Sequence, residues 1–249
     1  MIKFFRKIRQ NLLMENKTGK YFKYAIGEIV LVVIGILIAL SINNWNENRK
    51  ADNIANKIYS NLISALEQDL IDVKRTITFH NKGLDALRKL IPLEANEQLL
   101  ALDEDSLNLF LTEVSFTGRS FIPQTGIYNL LVSSNGLELI KSNKIKALLV
   151  NLYDSQYKSY ENLDARIDNK YHNQLGTVIR NKIGFILEFN PEYKIIQKAS
   201  PSNFQKHYNE LSAESRDIYS MVSFSRMELF EIRESINQLM PLIRAETKK

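Results

Sequence analysis

An uninterrupted apolar run near the N-terminus constrains this chain most. Residues 25–42 read AIGEIVLVVIGILIALSI, and Glu28 is the one ionisable side chain among them. Tyr24 precedes the run and Trp45 follows it. A helix between these two aromatic residues would measure about 31 Å, close to the hydrocarbon thickness of a bilayer, and aromatic side chains favour both membrane–water interfaces. The run therefore predicts one transmembrane helix over residues 25–42.

The charges on either side of the run predict its orientation. Seven basic residues and one acidic residue precede residue 25, whereas residues 43–249 carry 26 basic and 26 acidic side chains. By the positive-inside rule, the N-terminus lies in the cytoplasm and residues 43–249 lie outside it. Because this larger part is neutral, the basic character of the chain belongs to the membrane-flanking segment, and nucleic acid is not a predicted partner.

Residues 1–24 form a basic leader whose apolar side chains recur at helical spacing. Ile2, Phe5, Ile8 and Leu12 alternate with Lys3, Arg6, Lys7 and Arg9. This pattern is typical of a helix on an anionic surface, so the predicted lipid partner is the inner leaflet of the membrane. Two alternatives stay open for the apolar run: a cleaved signal peptide, since Ala39 and Ser41 are small, and a buried core helix. The long patterned leader argues against the first, and the aromatic and basic flanks argue against the second.

The first fifty residues also carry a resemblance to a family. The leader MIKFFRKIRQNLLMENKTGKY and the segment YAIGEIVLVVIGILIALSINNWNENRK resemble the N-terminal signature of an uncharacterised family of membrane-anchored proteins from Bacteroidota. A looser likeness covers residues 121–153, and Ser41 stands where glutamine is more usual. The resemblance implies the inner membrane of a Gram-negative bacterium and a periplasmic domain. It implies no activity.

Three long apolar seams dominate residues 43–249. In the first and the third, apolar positions step largely by four and three residues, the heptad pattern of packed helices. The first seam is Tyr59, Ile63, Leu66, Leu70, Val73, Ile77, His80, Leu84, Leu87 and Ile91; the second is Ile145, Leu149, Leu152, Leu163, Ile167, Tyr171, Leu175, Val178 and Ile183; the third is Ile218, Val222, Ser225, Leu229, Ile232, Ile236, Leu239 and Ile243. Alternating strand patterns are nearly absent. The predicted fold is all-α, with the transmembrane helix followed by an extracytoplasmic antiparallel bundle of long helices and no second span.

Capping residues and glycines predict where the helices begin, end and bend. The predicted starts lie at Asp103 or Asp105, at Thr125, at Ser142 or Asn143, and after Ser212. Gly136 is predicted to end the helix that Thr125 begins, in a left-handed conformation. Gly83 is the predicted kink of the first long helix.

The sequence predicts no enzyme, cofactor or metal site. It contains no phosphate-binding loop, dinucleotide glycine pattern or nucleophile elbow, and the absence of cysteine excludes disulfides and thiol chemistry. The spacings of Asp168 with His172 and of His207 with Glu210 predict surface ion pairs rather than metal ligands. His80 is expected in the buried seam.

Two groups of residues are candidate contact sites. Glu28, Val32, Gly35 and Ala39 share one face of the apolar helix, where the two small residues would let a second membrane helix approach and Glu28 could donate or accept a hydrogen bond. The alternative is that Glu28 reaches the headgroups, so that the helix is a plain anchor. Aromatic residues and one guanidinium cluster around the central loops, and a ligand pocket, if there is one, is expected at Arg119, Tyr128, Tyr153 and Tyr157.

These patterns favour a membrane-anchored interaction or scaffold protein of the cell envelope, whose partner is its own copy or another membrane protein. The alternative is a periplasmic sensor module that binds a small ligand and signals through a partner. A closed polar cavity beside Arg119 would favour the sensor, and an exposed apolar patch on the bundle would favour the scaffold.

Overall fold

A computed structural model describes residues 18–92, 96–188 and 193–247. The predicted leader, residues 1–24, lies mostly outside the described residues. The chain divides into two compact units, Met1–Ala55 and Asn56–Lys249. The structure is about 85% helical, which confirms that the chain is predominantly α-helical.

The first helix, α1, comprises Thr18–Leu90 and contains the predicted transmembrane run. In the described part of the chain it is the one helix long and apolar enough to cross a membrane, and none of its apolar stretch is buried. Side chains such as Leu31 and Leu37 are exposed. This exposure argues against a buried core helix, which neighbouring elements would cover.

Beyond residue 55, α1 buries one face. The buried positions are Tyr59, Leu62, Leu66, Asp69, Val73, Thr76, Ile77, His80, Gly83, Leu84, Ala86, Leu87 and Leu90. The predicted seam is wrong at Ile63, Leu70 and Ile91, which are only half-buried. Leu62, Asp69 and Leu90 occupy the inward positions instead.

Short helices fill the region between the first two long ones. Helix α2 is Glu97–Leu100, α3 is Glu104–Ser115 with a 3-10 turn over Phe116–Gly118, and α4 is Gly126–Ser133 with a 3-10 turn over Gly136–Leu139. Asp103 caps α3 by accepting a hydrogen bond from the backbone N–H of Ser106 at 2.7 Å, as predicted. The predicted left-handed Gly136 is wrong, because the residue with positive φ (53°) is Asn135. Asparagine tolerates this conformation better than most residues do.

The second long helix runs from residue 143 to residue 183. It consists of α5 (Asn143–Val150), a π-helical segment (Asn151–Gln156), α6 (Tyr157–Lys170), and two further π-helical segments (Tyr171–Leu175 and Val178–Ile183). Ser142 is its N-cap, as predicted, and Gly184 ends it with φ at 85°. Only glycine adopts that conformation freely.

A hairpin and a third long helix complete the fold. Strand β1 (Ile186–Leu187) pairs antiparallel with β2 (Ile195–Gln197), a feature that the sequence patterns did not predict. Helix α7 is Pro201–Glu246, capped by Ser200. The predicted start after Ser212 is wrong: Ser212 lies inside α7, and its hydroxyl donates a hydrogen bond to the carbonyl of Leu90 at 2.6 Å.

Polar contacts fix the direction of the long helices in the second unit. Helices α1 and α7 are antiparallel, because residue numbers in their contacts fall along α7 as they rise along α1. The contacts are Arg244–Glu67, Arg226–Asn81 and Ser212–Leu90. The second long helix is also antiparallel to α7. Three contacts show this, because they ascend along the second helix and descend along α7: Ser159–Glu228, Lys170–Asp217 and Lys182–Glu210. The predicted seam of α7, from Ile218 to Ile243, is buried throughout.

Candidate functional site

Asp69 is a buried carboxylate on the inward face of α1. Its side chain is fully buried, with Oδ1 accepting a hydrogen bond from the backbone N–H of Gln124 at 2.8 Å and Oδ2 accepting one from the hydroxyl of Tyr157 at 2.6 Å. Burial raises the pKa of Asp69, and the bonds from Tyr157 and Gln124 act in the opposite direction. Both donors are neutral, so the carboxylate has hydrogen bonds but no ion pair among the described residues.

Three tyrosines lie next to one another beside Asp69. Tyr128 and Tyr153 stack with ring centroids 4.4 Å apart and an interplanar angle of 6°, and Tyr157 meets Tyr153 edge-on at 5.0 Å. The hydroxyl of Tyr128 donates to Oδ2 of Asp154 at 2.6 Å. The hydroxyl of Tyr153 is buried and has no partner in the described chain. Burial raises the pKa of all three hydroxyls, so they stay protonated at neutral pH.

These tyrosines line a pocket of about 180 Å³ between the start of α4 and the helix over residues 153–161. The complete lining is Thr125, Tyr128, Asn129, Tyr153, Asp154, Tyr157, Lys158 and Glu161. Lys158 Nζ lies 2.8 Å from Oδ1 of Asp154, so both oxygens of Asp154 are occupied. The pocket combines aromatic walls with one basic and two acidic side chains at its edge.

Arg119 lies in a different cluster. Its guanidinium is 5.4 Å from the ring centroid of Phe79 and 5.3 Å from that of Tyr193, and Nη2 donates to the Tyr193 hydroxyl at 3.0 Å. Phe116 contacts both rings, with centroid distances of 4.9 and 5.3 Å. Of the four predicted pocket residues, the structure brings together Tyr128, Tyr153 and Tyr157, and Arg119 is not part of the pocket lining. A ligand there stays a prediction.

The histidines separate into one buried and two accessible side chains. His80 Nε2 lies 2.8 Å from the carbonyl oxygen of Arg119, and Nδ1 is buried without a partner among the described residues. Burial lowers the pKa of His80 to about 4, and the charge of Arg226 acts in the same direction. His172 lies 3.1 Å from Asp168, and His207 lies 3.6 Å from Glu210. No group of three metal-ligating side chains occurs in the described ranges.

The predicted contact face of the apolar helix is open in the part of the chain that the structure describes. Val32 and Ala39 are exposed, Glu28 is half-buried, and a Cβ placed on Gly35 would meet nothing within 4 Å. The face therefore has room for a second helix. Association through it stays a prediction.

Comparison with known proteins places the chain in a family. A family model described as a family of unknown function, DUF6090, matches residues 28–189. The chain belongs to DUF6090. No curated protein and no solved structure matches it. Membership confirms the expected uncharacterised family, whereas the Bacteroidota origin and the N-terminal signature stay predictions.

The residues matched to DUF6090 include every residue that lines the pocket, as well as Asp69. Asp69 and Glu161 were not among the sequence-predicted site residues. A signal for Asp69 was present, because it lies three residues after Leu66 and four before Val73, where the seam continues. The predicted seam did not include this position, because the pattern was drawn from apolar residues and aspartate is polar. The DUF6090 match ends before α7 begins.

Proposed function

We propose that this member of DUF6090 is a membrane-anchored interaction or scaffold module of the cell envelope. In this proposal α1 crosses the inner membrane of a Gram-negative bacterium through residues 25–42. The leader contacts anionic lipid of the inner leaflet, and residues 43–249 form a periplasmic antiparallel helical bundle. The chain acts by contact and catalyses no reaction. The exposed apolar stretch of α1 supports the anchor, because such a surface is stable only in lipid or against another protein.

An exposed apolar surface on α7 carries the proposal of contact. Phe224 and Met227 are 60% and 55% exposed and lie one helical turn apart, so they share a face. Beside them runs a groove between α6 and α7 that Leu163 and Met221 line in part. We call Met221, Phe224 and Met227 the α7 apolar surface. An aromatic ring and a thioether left in water together favour burial against a partner.

A second copy of the chain is the partner that this proposal commits to. Residues 43–249 carry equal numbers of acidic and basic side chains, so net charge does not oppose association of two copies. Anchoring in one membrane raises the effective concentration of copies for one another, which lets a modest surface suffice. The face of Glu28, Val32, Gly35 and Ala39 offers a second contact within the membrane.

Site-specific photo-crosslinking in intact cells tests this. A photoreactive residue at position 224 should crosslink to a second copy of the chain. The same residue at position 206 should not, because Lys206 lies on the same face of α7 about 27 Å away, in a part of this described helix without exposed large apolar side chains. A crosslink from position 224 to a different protein would replace the homomeric version with a heteromeric one. Equal yields from both positions would remove the α7 apolar surface from the proposal.

The pocket beside Asp69 favours a second candidate function, the ligand-binding sensor module. It is a concave site with aromatic walls and a few polar groups, as small-molecule sites are. Arg119 does not line it, so it is not the closed polar cavity beside Arg119 named above as the feature that would favour the sensor. In this alternative, a bound ligand would change how the second unit meets a signalling partner. A partner interaction that changes when a pocket ligand is added would favour it over the scaffold.

A further inference from the structure

The buried charge behind the pocket is uncompensated. Among the described residues, Asp69 has only neutral hydrogen-bond donors, the backbone N–H of Gln124 and the hydroxyl of Tyr157, and Tyr157 lines the pocket. A buried carboxylate without a cation is costly, and a positive group nearby offsets that cost. The electric field of Asp69 thus favours a cation in the pocket.

The walls of the pocket favour the same kind of ligand. The faces of aromatic rings attract cations, and three tyrosines line this pocket. Tyr128 and Tyr153 cover one face of each other by stacking, so a cation in the pocket meets their outer faces or the ring of Tyr157. Tyr153 adds a buried hydroxyl without a partner in the described chain, so an acceptor oxygen is unused behind the rings. At the edge, Glu161 is an exposed carboxylate with no ion pair among the described residues.

We propose that the pocket beside Asp69 binds a small organic ammonium cation. The ligand places its charge between the tyrosine rings and the carboxylate of Glu161, with Asp69 behind the rings. This inference rests on the second candidate function, the sensor module, and names the class of its ligand.

Other ligand classes fit the lining less well. A hard metal ion takes several oxygen ligands at short distance, and the described chain has no group of three acidic or histidine side chains placed so that it could hold one. An anion would need free positive charge, but Lys158 is already paired with Asp154. A volume of about 180 Å³ restricts the ligand to a small molecule.

Calorimetric titration of the full chain in a nonionic detergent tests the proposal. Choline and ethylammonium are the probes, and 3,3-dimethylbutan-1-ol, in which carbon replaces the nitrogen of choline, is the neutral control. At least one ammonium probe should bind, and choline should bind at least about tenfold more tightly than the alcohol. No binding of either ammonium ion, or measurable binding of choline that is no tighter than that of the alcohol, overturns the proposal.

A pair of variants assigns the binding to this pocket. Glu161→Gln removes one edge charge at an exposed position and should weaken ammonium binding about fivefold. Glu231→Gln makes the same change at an exposed position of α7 outside the pocket lining and should leave binding unchanged. Melting temperatures of both variants check that they fold. Equal affinities in Glu161→Gln and the parent chain would place the bound ammonium elsewhere and overturn the assignment. The crosslinking result at position 224 is independent of this outcome.

Discussion

Asp69 joins three parts of the chain that are distant in sequence. Its own helix is α1, its first hydrogen bond comes from the loop before α4 and its second comes from the start of α6. Both donors, the N–H of Gln124 and the hydroxyl of Tyr157, would be left unpaired without it. A buried donor without an acceptor loses its bonds to water and gains none. Asp69 therefore fixes the loop and the tyrosine that form one side of the pocket.

Replacing Asp69 by alanine should destabilise the second unit by about 3 kcal/mol, since the buried hydroxyl of Tyr157 and the part-buried N–H of Gln124 lose their acceptor. Thermal unfolding followed by circular dichroism should show the melting temperature fall by about 6–12 °C. Asp85→Asn is the matched control, because Asp85 lies on the same helix and its ion pair with Arg88 is exposed. That variant should melt within about 2 °C of the parent chain. Equal effects of the two changes would contradict the role given to Asp69.

His80 should make the stability of the fold depend on pH. Its pKa is about 4 in the folded chain against 6.5 for an ordinary histidine. Between these values the unfolded chain binds a proton that the folded chain does not, so stability falls as pH falls from 6.5 to 4. The loss over that range is about 3 kcal/mol. The raised pKa values of Asp69 and Asp164 contribute with the opposite sign, so the total pH dependence does not isolate His80.

Comparison with His80→Gln isolates this contribution. Glutamine cannot take up a proton in this range, and its amide can still donate to the carbonyl of Arg119. The stability of His80→Gln, measured by urea unfolding at several pH values, should fall less steeply below pH 6.5 than that of the parent chain. His172→Gln is the control, since His172 is exposed at its ion pair with Asp168. If His80→Gln and His172→Gln gave the same slope, His80 would not be the titrating group.

At the scale of the helix, α1 shows what the sequence could and could not predict. The heptad pattern predicted most of the buried face correctly, because the spacing of apolar side chains indicates which face of a helix packs against the core. They failed at Ile63 and Leu70, where apolar residues lie beside the inward positions held by Leu62 and Asp69. A polar side chain in a core is recognised only when its partners are known, and those partners are far away in sequence.

Long-range contacts also explain the other corrections. Ser212 reads as a helix cap in sequence, but its hydroxyl donates to Leu90, which a local pattern cannot show. The sequence prediction groups Arg119 with the three tyrosines of the pocket. In the structure Arg119 contacts Phe79 and Tyr193 instead. Which aromatic residues surround a guanidinium depends on tertiary packing, not on spacing along the chain.

Gly83 makes a close contact with the 3-10 turn that follows α3, and the kink predicted at this glycine stays a prediction. A Cβ at this position would lie 2.6 Å from Cγ2 of Thr117 and 3.0 Å from its backbone nitrogen. Gly83→Ala should therefore destabilise the fold by about 1–3 kcal/mol through overpacking. Gly126→Ala is the control, because a Cβ there meets nothing within 4 Å. Adding Thr117→Ser, which removes the nearest methyl group, should recover part of the loss in thermal unfolding. No recovery would leave the close contact unsupported.

The apolar part of α1 should associate through the face of Gly35. In a bacterial membrane two-hybrid assay on residues 1–50, the parent sequence should associate and Gly35→Ile should not, because the larger side chain fills the groove. Gly27→Ile is the matched control: Gly27 is equally open but lies about 110° around the helix from the centre of the face that Glu28, Val32, Gly35 and Ala39 form. Glu28→Gln should weaken association less, since its amide still forms hydrogen bonds. Association that survives Gly35→Ile would leave this segment as a plain anchor.

At the scale of the whole molecule, local composition was enough to predict the candidate membrane span and the helical character of the chain. An apolar run and its flanks are local properties, so a single candidate span and a mostly helical chain followed without knowledge of contacts. The short hairpin of β1 and β2 was not predicted, because strands of two and three residues are too short to show an alternating pattern. The second unit owes its arrangement to the polar contacts and buried seams that join its long helices.

Topology is the prediction that tests the whole arrangement. Positive charge is concentrated before residue 25, and residues 43–249 are neutral, so the positive-inside rule places the N-terminus in the cytoplasm. A reporter that is active only outside the cytoplasm, fused after residue 249, should therefore be active. A reporter that works only in the cytoplasm should be silent at that position and active when fused before residue 1.

An N-terminal epitope tag on the same fusion separates an anchor from a cleaved signal peptide. The tag and the C-terminal reporter should remain on one polypeptide of full length, because the patterned basic leader is much longer than the charged region of a typical signal peptide. A shortened reporter band without the tag would establish cleavage near Ala39 to Ser41 and free the second unit from the membrane. The reverse reporter pattern would place that unit in the cytoplasm, where contact between envelope proteins could not be its role.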